Sequence, residues 1–487
     1  MKKLVISLIA LLAVSTTVMA QNEVDALRFS RLMYGGSARY MSLGGAYGAV
    51  GADFSATSTN PAGMGLYKRS EVSFTPSITT NKSSSTFGGF LNEDTKYGFN
   101  VGSAGVVMVF DNPDRRTNSE WKSFQFGFGY NRLANFNNSY LIMGKNTTSS
   151  ILTDYVNKAN GTAPADLSPF DTQLAYDANL IYRPNTNQNV YTADVLGVST
   201  FPGVNQTKSI QTKGGIGETV FAGSANYMDR LYFGLSLGVL SLRYEEESTF
   251  TETPSASNTI PEFTSLTKYD YQLIKGNGYD LKMGVIFRAT DWLRLGAAVH
   301  TPALFSKINI DYNSSMSSTF QTSSLNATKN SPDGTYSFDM TTPMKLIGSA
   351  AFVIGKSGLI SADYELVDYS AARLRPSTDF TVENQRIQDK YTSTSNFRLG
   401  GEYRLGMLSF RGGYGFFGSP YKSNINNGEG TLYSLGVGFR TSDYFVDLGY
   451  SSYQMTEDYY LYGVSKLNAA SVKTTNNTFM LTFGVKF

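Results

Sequence analysis

The final residues of the chain, 477–487 (NTFMLTFGVKF), decide the fold, because large apolar side chains alternate there with small or polar ones. The apolar set is Phe479, Leu481, Phe483, Val485 and Phe487. A strand that crosses a bilayer needs about 9 to 11 residues, with lipid-facing and lumen-facing side chains in alternation. The segment therefore predicts a membrane-spanning β-strand. We expect its terminal aromatic residue, Phe487, to be recognised by the barrel assembly machinery.

The same alternation recurs upstream and gives about fourteen candidate strands. They start near Lys68, Gly98, Lys122, Glu218, Leu231, Tyr271, Trp292, Tyr336, Leu359, Ser395, Met407, Thr431, Tyr444 and Asn477. Tight turns, such as residues 228–230 and 441–443, alternate with much longer loops. Short turns at one end and long loops at the other are typical of outer-membrane barrels. The sequence thus predicts an all-β fold, a transmembrane antiparallel β-barrel of about 14 strands, over residues 67–487.

The composition agrees with a membrane barrel. Charged residues make up 16% of the chain, against about 25% in soluble proteins, while aromatic residues reach 14%. A net charge of +2 gives no reason to expect a nucleic-acid partner. The absence of cysteine excludes disulfides, thiolate metal sites and a cysteine nucleophile.

The amino terminus has the pattern of a secretory signal peptide over residues 1–20. Lys2 and Lys3 precede an apolar run, and Val18, Met19 and Ala20 supply small residues before a cleavage point at Gln21. The run is too short to span a bilayer as a helix. We therefore expect export to the outer membrane of a Gram-negative cell.

Two regions do not have the pattern of barrel strands. Residues 21–66 are rich in glycine and small residues, and could fold back into the lumen as a hatch. Residues 133–217 form the largest insertion, an outer loop with one predicted helix ending before Gly161 and a second starting at Ser168 and Pro169. The insertion is either a capped subdomain or a groove that captures amphipathic molecules.

Residues 35–47 (GGSARYMSLGGAY) and 56–64 (ATSTNPAGM) resemble the N-terminal hatch of FadL-like outer-membrane transporters. The sharpest part of the motif is Asn60, Pro61, Ala62 and Gly63. This family carries long-chain fatty acids and aromatic hydrocarbons, and the composition suggests a Bacteroidetes-type member. The resemblance implies a plugged barrel, capture of a hydrophobic ligand at the outer loops, a lumenal pocket, and sideways exit through a kinked strand. Gly127 and Gly129 are candidates for that kink.

Several residues are predicted to contact the ligand. In the hatch, Tyr34, Tyr40, Met41 and Leu43 could give apolar contact, and Arg39 could face a head group. On neighbouring strands, Arg398 and Arg411 could hold a carboxylate. The competing interpretation is that such lumenal charges simply pair with one another.

The leading interpretation is a passive, monomeric transporter of hydrophobic small molecules, surrounded by outer-membrane lipids, without cofactor, metal or catalytic residues. A second possibility is a carrier of surface proteins of the type IX secretion kind. A third is a haem receptor, with His300, the only histidine, or a lumenal tyrosine as axial ligand. An enzyme ranks last, because one histidine leaves few bases for a nucleophile.

Overall fold

The computed structural model describes residues 23–33, 35–112, 119–256, 259–423, 425–463 and 469–487. The predicted signal peptide, its cleavage point at Gln21, and Tyr34 lie outside the described residues. The helices are α1 (Glu23–Ser30), α2 (Ala38–Ser42), α3 (Ile151–Ala159), α4 (Thr172–Asp177) and α5 (Thr381–Lys390), with 3-10 turns at Phe54–Ser58, Pro61–Leu66, Pro164–Asp166, Asp194–Leu196, Ser323–Leu325 and Tyr369–Ala371. In this part of the chain, none of the helices has the length and hydropathy to cross a membrane.

The strands follow the order of the chain. They are β1 (Glu71–Phe87), β2 (Phe90–Asp111), β3 (Trp121–Asn135), β4 (Asn138–Asn146), β5 (Val204–Tyr227), β6 (Leu231–Pro254), β7 (Phe263–Arg288), β8 (Leu293–His300), β9 (Leu304–Phe320), β10 (Ala327–Asn330), β11 (Gly334–Thr341), β12 (Lys345–Ile354), β13 (Gly358–Asp368), β14 (Arg373–Arg375), β15 (Ser393–Leu405), β16 (Leu408–Phe417), β17 (Gly430–Arg440), β18 (Tyr444–Tyr459) and β19 (Ala470–Lys486).

Fourteen of these strands form a closed antiparallel barrel. The ring closes because β1 pairs with β2 along one edge and with β19 along the other. The additional strands β4, β9, β10, β11 and β14 extend the wall toward the long loops. The predicted barrel of about 14 strands is therefore confirmed. We call the end with the long loops the outer end.

Some strands begin well before their predicted starts. The largest differences are β2 at Phe90 instead of Gly98, β5 at Val204 instead of Glu218, β7 at Phe263 instead of Tyr271, and β19 at Ala470 instead of Asn477. These outer extensions carry many polar side chains on both faces, so the alternation that marks a lipid-facing strand stops while the strand continues.

The barrel exterior is apolar. Phe99, Phe126, Leu435 and Leu448 are all more than half exposed, and many other large apolar side chains share this outward face. Exposing such a continuous surface to water would be costly, whereas lipid tails match it. The barrel is thus an outer-membrane protein, as predicted from the signal peptide and the strand pattern. Phe487, at the end of β19, is exposed, and its recognition by the assembly machinery stays a prediction.

The hatch lies inside the barrel and is almost entirely buried. Its turns have local causes. Ser37 caps α2 by accepting from the Tyr40 amide, and Asn60 caps the turn Pro61–Leu66 by accepting from the Ala62 amide at 3.1 Å. The Asn60 side chain also donates to the Gly48 carbonyl at 2.6 Å, which joins two segments of the hatch. The hatch motif therefore holds its own fold together; the boundary at residue 66 stays a prediction.

Residues 147–203, which we call the outer cap, carry α3 and α4 and share one apolar core with the outer ends of the neighbouring strands. The first helix ends before Gly161 as predicted, whereas α4 begins at Thr172 rather than at Ser168, because Asp171 caps it. Residues on either side of the cap, within the insertion expected at about 133–217, form β4 and the outer part of β5.

Candidate functional site: a lumenal cavity and a lateral seam

A cavity of about 820 Å³ lies in the lumen on the outer side of the hatch. Its volume is in the range of about 300 to 1,000 Å³ that drug-sized ligands occupy. The wall contains many aromatic and methionine side chains, among them Met33, Met41, Phe136, Tyr244, Tyr391, Phe417, Tyr421, Tyr453, Met455 and Met480. Such a lining favours an apolar ligand, and the flexible methionines can adjust to its shape.

The floor of the cavity is the hatch, and dense ion pairs fix its inner side. Glu402 accepts from Arg39 at 3.1 Å and from Arg411 at 2.7 Å, and all three side chains are buried. Asp363 accepts from the amides of Tyr47 and Gly48 at 2.9 and 3.0 Å. Because hatch and wall are joined by buried charged hydrogen bonds, the way straight through the barrel is closed in this structure.

The structure separates the hatch residues that were predicted to contact a ligand. Tyr40 and Met41 border the cavity. Leu43 is fully buried and packs against Gly400 of β15. Arg39 faces Glu402 on the inner side. A ligand contact thus stays a prediction for all four, and the cavity geometry favours it for Tyr40 and Met41.

Arg398 and Arg411 do not form a joint site. In the β15–β16 ladder Arg398 lies opposite Gly415, whereas Arg411 lies opposite Glu402. Arg398 borders the cavity but donates to Glu365 at 3.2 Å. Arg411 donates to Glu402 and, at 2.6 Å, to Asp447. The geometry matches the competing interpretation, in which lumenal charges pair with one another.

Three other arginines, which were not among the predicted site residues, border the cavity. Arg28 pairs with Asp25 and lies 4.2 Å from the centre of the Tyr244 ring. Arg31 pairs with Glu457 at 2.7 Å. Arg28 lies in the last turn of α1 and Arg31 directly follows the helix, so two basic residues three apart at a helix end were the available signal.

Arg132 is different, because no carboxylate in the described part of the chain lies within 4 Å of its guanidinium group. Its Nη2 donates to the Gly214 carbonyl at 2.8 Å, and its Nε is buried without a partner among the described residues. Arg132 follows Phe126 and Phe128 by even numbers of residues, so regular strand alternation would point its side chain toward lipid, as theirs point. The alternation alone would therefore have placed it in the membrane. Arg132 still pairs with Gly217, but the register shifts directly after it and β3 ends at Asn135, so Arg132 lies where the wall is interrupted and borders the cavity.

The barrel wall has a lateral seam beside this arginine. Residues 90–102 of β2 pair with β1, but β3 pairs with β2 only over 103–111. Strand β3 ends at Asn135. The next strand, β4, pairs with β5 and packs against β1 and β2 without a backbone ladder to either of them. Gly127 and Gly129 keep regular register with both neighbours, so the interruption lies at residues 136–137 and not at these glycines.

Side chains, instead of a backbone ladder, hold the seam. Ser83 donates to the Ser139 carbonyl at 2.6 Å, Asn92 donates to the Met143 carbonyl at 3.0 Å, and Asn81 donates to the Asn137 carbonyl. The hatch reaches the same place, since the Gly35 amide donates to the Arg132 carbonyl at 2.7 Å. A Cβ at Gly35 would lie 2.7 Å from that oxygen, so only glycine fits there.

His300 does not border the cavity. It is buried, and its Nε2 lies 2.7 Å from the Thr59 carbonyl of the hatch. This position does not favour an axial role toward a haem in the cavity. Within the described ranges there is no group of three or more histidine, cysteine, aspartate or glutamate side chains that could hold a metal ion.

No protein-family model matches the sequence, and a search of curated proteins finds no significant match. Solved structures do match. A Pseudomonas aeruginosa FadL homologue is 12% identical and aligns over 94% of this chain and 99% of its own, with a TM-score of 0.55. The P. putida toluene transporter TodX is 12% identical over 93% and 99% of the two chains, with a TM-score of 0.54. The CymD monoaromatic hydrocarbon channel is 12% identical over 93% and 98%, with a TM-score of 0.52. The chain therefore has the fold of the FadL-like outer-membrane transporters, as its hatch motif predicts.

Proposed function

We propose that the protein is a passive outer-membrane channel for hydrophobic small molecules such as long-chain fatty acids. The observation that carries this proposal is the continuity of one largely apolar cavity from the outer loops to the lateral seam. The similar structures support it, since they are described as hydrocarbon channels and a FadL homologue. No bond is made or broken during passage.

Entry is proposed at the outer mouth of the cavity. Lys390, Tyr391 and Tyr460 border the cavity from the loops that follow β14 and β18, and Val24 of α1 is 42% exposed beside them. An apolar molecule that leaves water here gains free energy in proportion to the area it buries. The helices of the outer cap do not border the cavity, so capture by the predicted cap groove remains a separate prediction.

Within the cavity, Arg132 is the best candidate for the head group. Arg28 and Arg31 already have carboxylate partners, whereas a ligand carboxylate would give Arg132 its first. The aromatic and methionine side chains would hold the tail. Tyr40 and Met41 would then lie under the ligand as part of the floor.

Exit is proposed sideways, through the seam between β2 and β4. The hatch blocks the axial path, and the cavity borders Gly102, Asn135 and Asn137 on the two sides of the seam. Side-chain hydrogen bonds can open one at a time, whereas a ladder of backbone bonds opens cooperatively. A ligand leaving here would enter the membrane without crossing water.

A disulfide introduced across the seam tests this route, since the natural chain has no cysteine that could interfere. A Cβ at Gly98 would lie 3.2 Å from the Asn137 side chain, so the pair Gly98→Cys and Asn137→Cys spans the seam. We expect oxidation to lower oleate uptake by cells at least about tenfold, and a reductant to restore it. The control pair is Thr431→Cys and Gln454→Cys in the continuous β17–β18 ladder. Unchanged uptake with the seam oxidised would contradict lateral exit.

A further inference from the structure

One wall of the cavity is made of neutral hydrogen-bonding side chains. The inward faces of β2, β1 and β19 place serine, threonine and asparagine in adjacent register, with Asn100 opposite Ser77, Thr79 opposite Thr478, and Asn81 opposite Asn476. All of them border the cavity. We call these six residues the amide–hydroxyl panel. It contains no charged side chain, so pairing of lumenal charges does not explain it.

The panel is poorly matched to a pure hydrocarbon or a simple fatty-acid tail. Ser77 and Thr79 donate to carbonyl groups of the wall, and Thr478 donates to Asn476, so the free valences of the panel are mainly acceptors. A tail pressed against these acceptors would give them no hydrogen bonds, which costs free energy. A ligand with its own hydroxyl or amide groups along one face would supply those hydrogen bonds. The aromatic and methionine part of the wall would still accept the apolar face of such a molecule.

Asn81 gives a second, independent indication. Its side chain is 98% buried, and its Nδ2 donates to the Asn137 carbonyl, which fixes the orientation of the amide. Its Oδ1 then has no hydrogen-bond partner in the part of the chain that the structure describes. A buried acceptor in this state needs a donor, and neither a carboxylate nor a hydrocarbon can donate a hydrogen bond.

The panel is also connected to Arg132, the cavity arginine that has no carboxylate partner among the described residues. Asn135 donates to Thr79 at 3.5 Å, and its Oδ1 lies 3.5 Å from Arg132 Nη2. A ligand that lies along the panel would therefore bring its end group to Arg132. The panel and Arg132 together therefore favour a ligand with hydrogen-bond donors along one face and an acid group at one end.

From this juxtaposition we infer that the preferred ligand is a hydroxylated amphiphile with an acid group, apolar on one face and bearing hydroxyl or amide donors on the other. This inference rests on the proposed function and narrows its substrate class. It distinguishes the protein from a channel that selects only for hydrophobicity.

The test compares ligands that share a skeleton and differ in hydroxyl content. Cholate and lithocholate have the same ring system and acid side chain, and cholate carries more hydroxyls. Binding of each, and of oleate, is measured on the full barrel in nanodiscs with radiolabelled ligand. We expect Asn81→Leu and the isosteric Thr79→Val to weaken cholate binding about five- to tenfold, which is the loss of one or two hydrogen bonds. Both variants should weaken cholate binding more than they change oleate binding, because the oleate tail has no hydroxyl group that loses a partner.

The matched control is Thr80→Val, the next residue of β1, which faces outward. It should change no affinity. If the barrel binds cholate no better than lithocholate, or if the panel variants weaken oleate and cholate equally, the inference is overturned while oleate binding leaves the proposed function standing. If neither oleate nor cholate binds, the proposed function fails and the inference fails with it.

Discussion

The two halves of the lumen differ in how their positively charged side chains are paired with carboxylates. Toward the short turns, Lys282 lies between Glu218 and Asp280, and Arg411 lies between Glu402 and Asp447, all of them buried. Toward the outer end, the walls are aromatic, methionine-rich or amide-lined, and the cavity also contains the ion pairs Arg28–Asp25 and Arg31–Glu457. There Arg132 has no carboxylate within reach among the described residues. The inner half has the chemistry of a fixed plug, and the outer half has that of a site with room for a ligand.

This difference separates structural cations from candidate ligand-binding cations. A buried ion pair contributes little net stability, but removing one partner leaves an uncompensated charge, which is strongly unfavourable. Substitutions in the inner half should therefore change stability more than binding. Substitutions in the outer half should do the reverse.

The largest effect is expected at Lys282. Lys282→Met leaves Glu218 and Asp280 buried without their cation, and we expect the free energy of unfolding to fall by about 3 to 5 kcal/mol. The measurement is urea unfolding in detergent, in which the fractions of folded and unfolded barrel are read from their different mobilities on a gel. The triple variant with Glu218→Gln and Asp280→Asn should recover most of the loss, because no charge then remains unpaired. A single variant as stable as the natural protein would remove the basis for the comparison.

The second prediction contrasts two arginines directly. Arg132→Met should raise the Kd for oleate about tenfold or more, the effect of losing a charge-assisted hydrogen bond. The free energy of unfolding should fall by no more than about 1 kcal/mol, from the lost hydrogen bond to the Gly214 carbonyl. Arg411→Met should lower stability by about 2 to 3 kcal/mol, since Glu402 and Asp447 each lose a buried charged hydrogen bond while Arg39 and Arg440 remain beside them. Calorimetric binding and urea unfolding of both variants give the answer. Equal effects of the two variants on binding would mean that the halves are not distinct.

A smaller effect is expected in the hatch, at the border between the two halves. Asn60→Ala removes the cap of the turn Pro61–Leu66 and the bond to the Gly48 carbonyl, and caps are worth about 1 kcal/mol. We expect faster amide hydrogen exchange in residues 44–66 with barrel strands unaffected. Asn427→Ala, on an exposed outer loop, is the control and should leave hatch exchange unchanged. Faster exchange throughout the barrel would show that the hatch is not a separate unit.

The smallest effect concerns the outer cap. Glu252, at the outer end of β6, accepts from the Ile151 amide at 3.1 Å and from Gln206 at 2.7 Å, and burial raises its pKa to about 7 from 4.5. A carboxyl group whose pKa is raised in the folded state stabilises that state fully at pH values below its ordinary pKa of 4.5. This contribution is lost as the pH rises through about 7. Proteolysis within residues 147–161 should therefore be a few-fold faster at pH 8 than at pH 6. Glu252→Gln should remove this pH dependence; if it persists in the variant, another group is responsible.

The strand alternation was sufficient to predict the barrel, because lipid imposes the same requirement on every spanning strand. It could not predict the outer extensions of β5 and β7, where neither face meets lipid. The hatch motif predicted a plug, but Glu402, the partner of Arg39, lies 363 residues further along the chain. Only the placement of the hatch inside the closed ring brings these two side chains together. Arg132 was missed for a related reason. Its parity indicates lipid, and only the interruption after Asn135 makes a cavity there.

The uneven height of the wall has one more consequence. β7 has 26 residues, which at about 3.3 Å each and a tilt of about 40° rise about 65 Å, whereas β16 has 10 residues and rises about 25 Å, the thickness of the apolar band. The outer cap packs against the tall side, through Phe250, Phe263 and Met316. The barrel therefore ends in a slanted rim, which is high on the side of the outer cap and low at β16. Tyr391 and Tyr460, which border the proposed entry, adjoin β15 and β18 and so lie toward the low side of the rim.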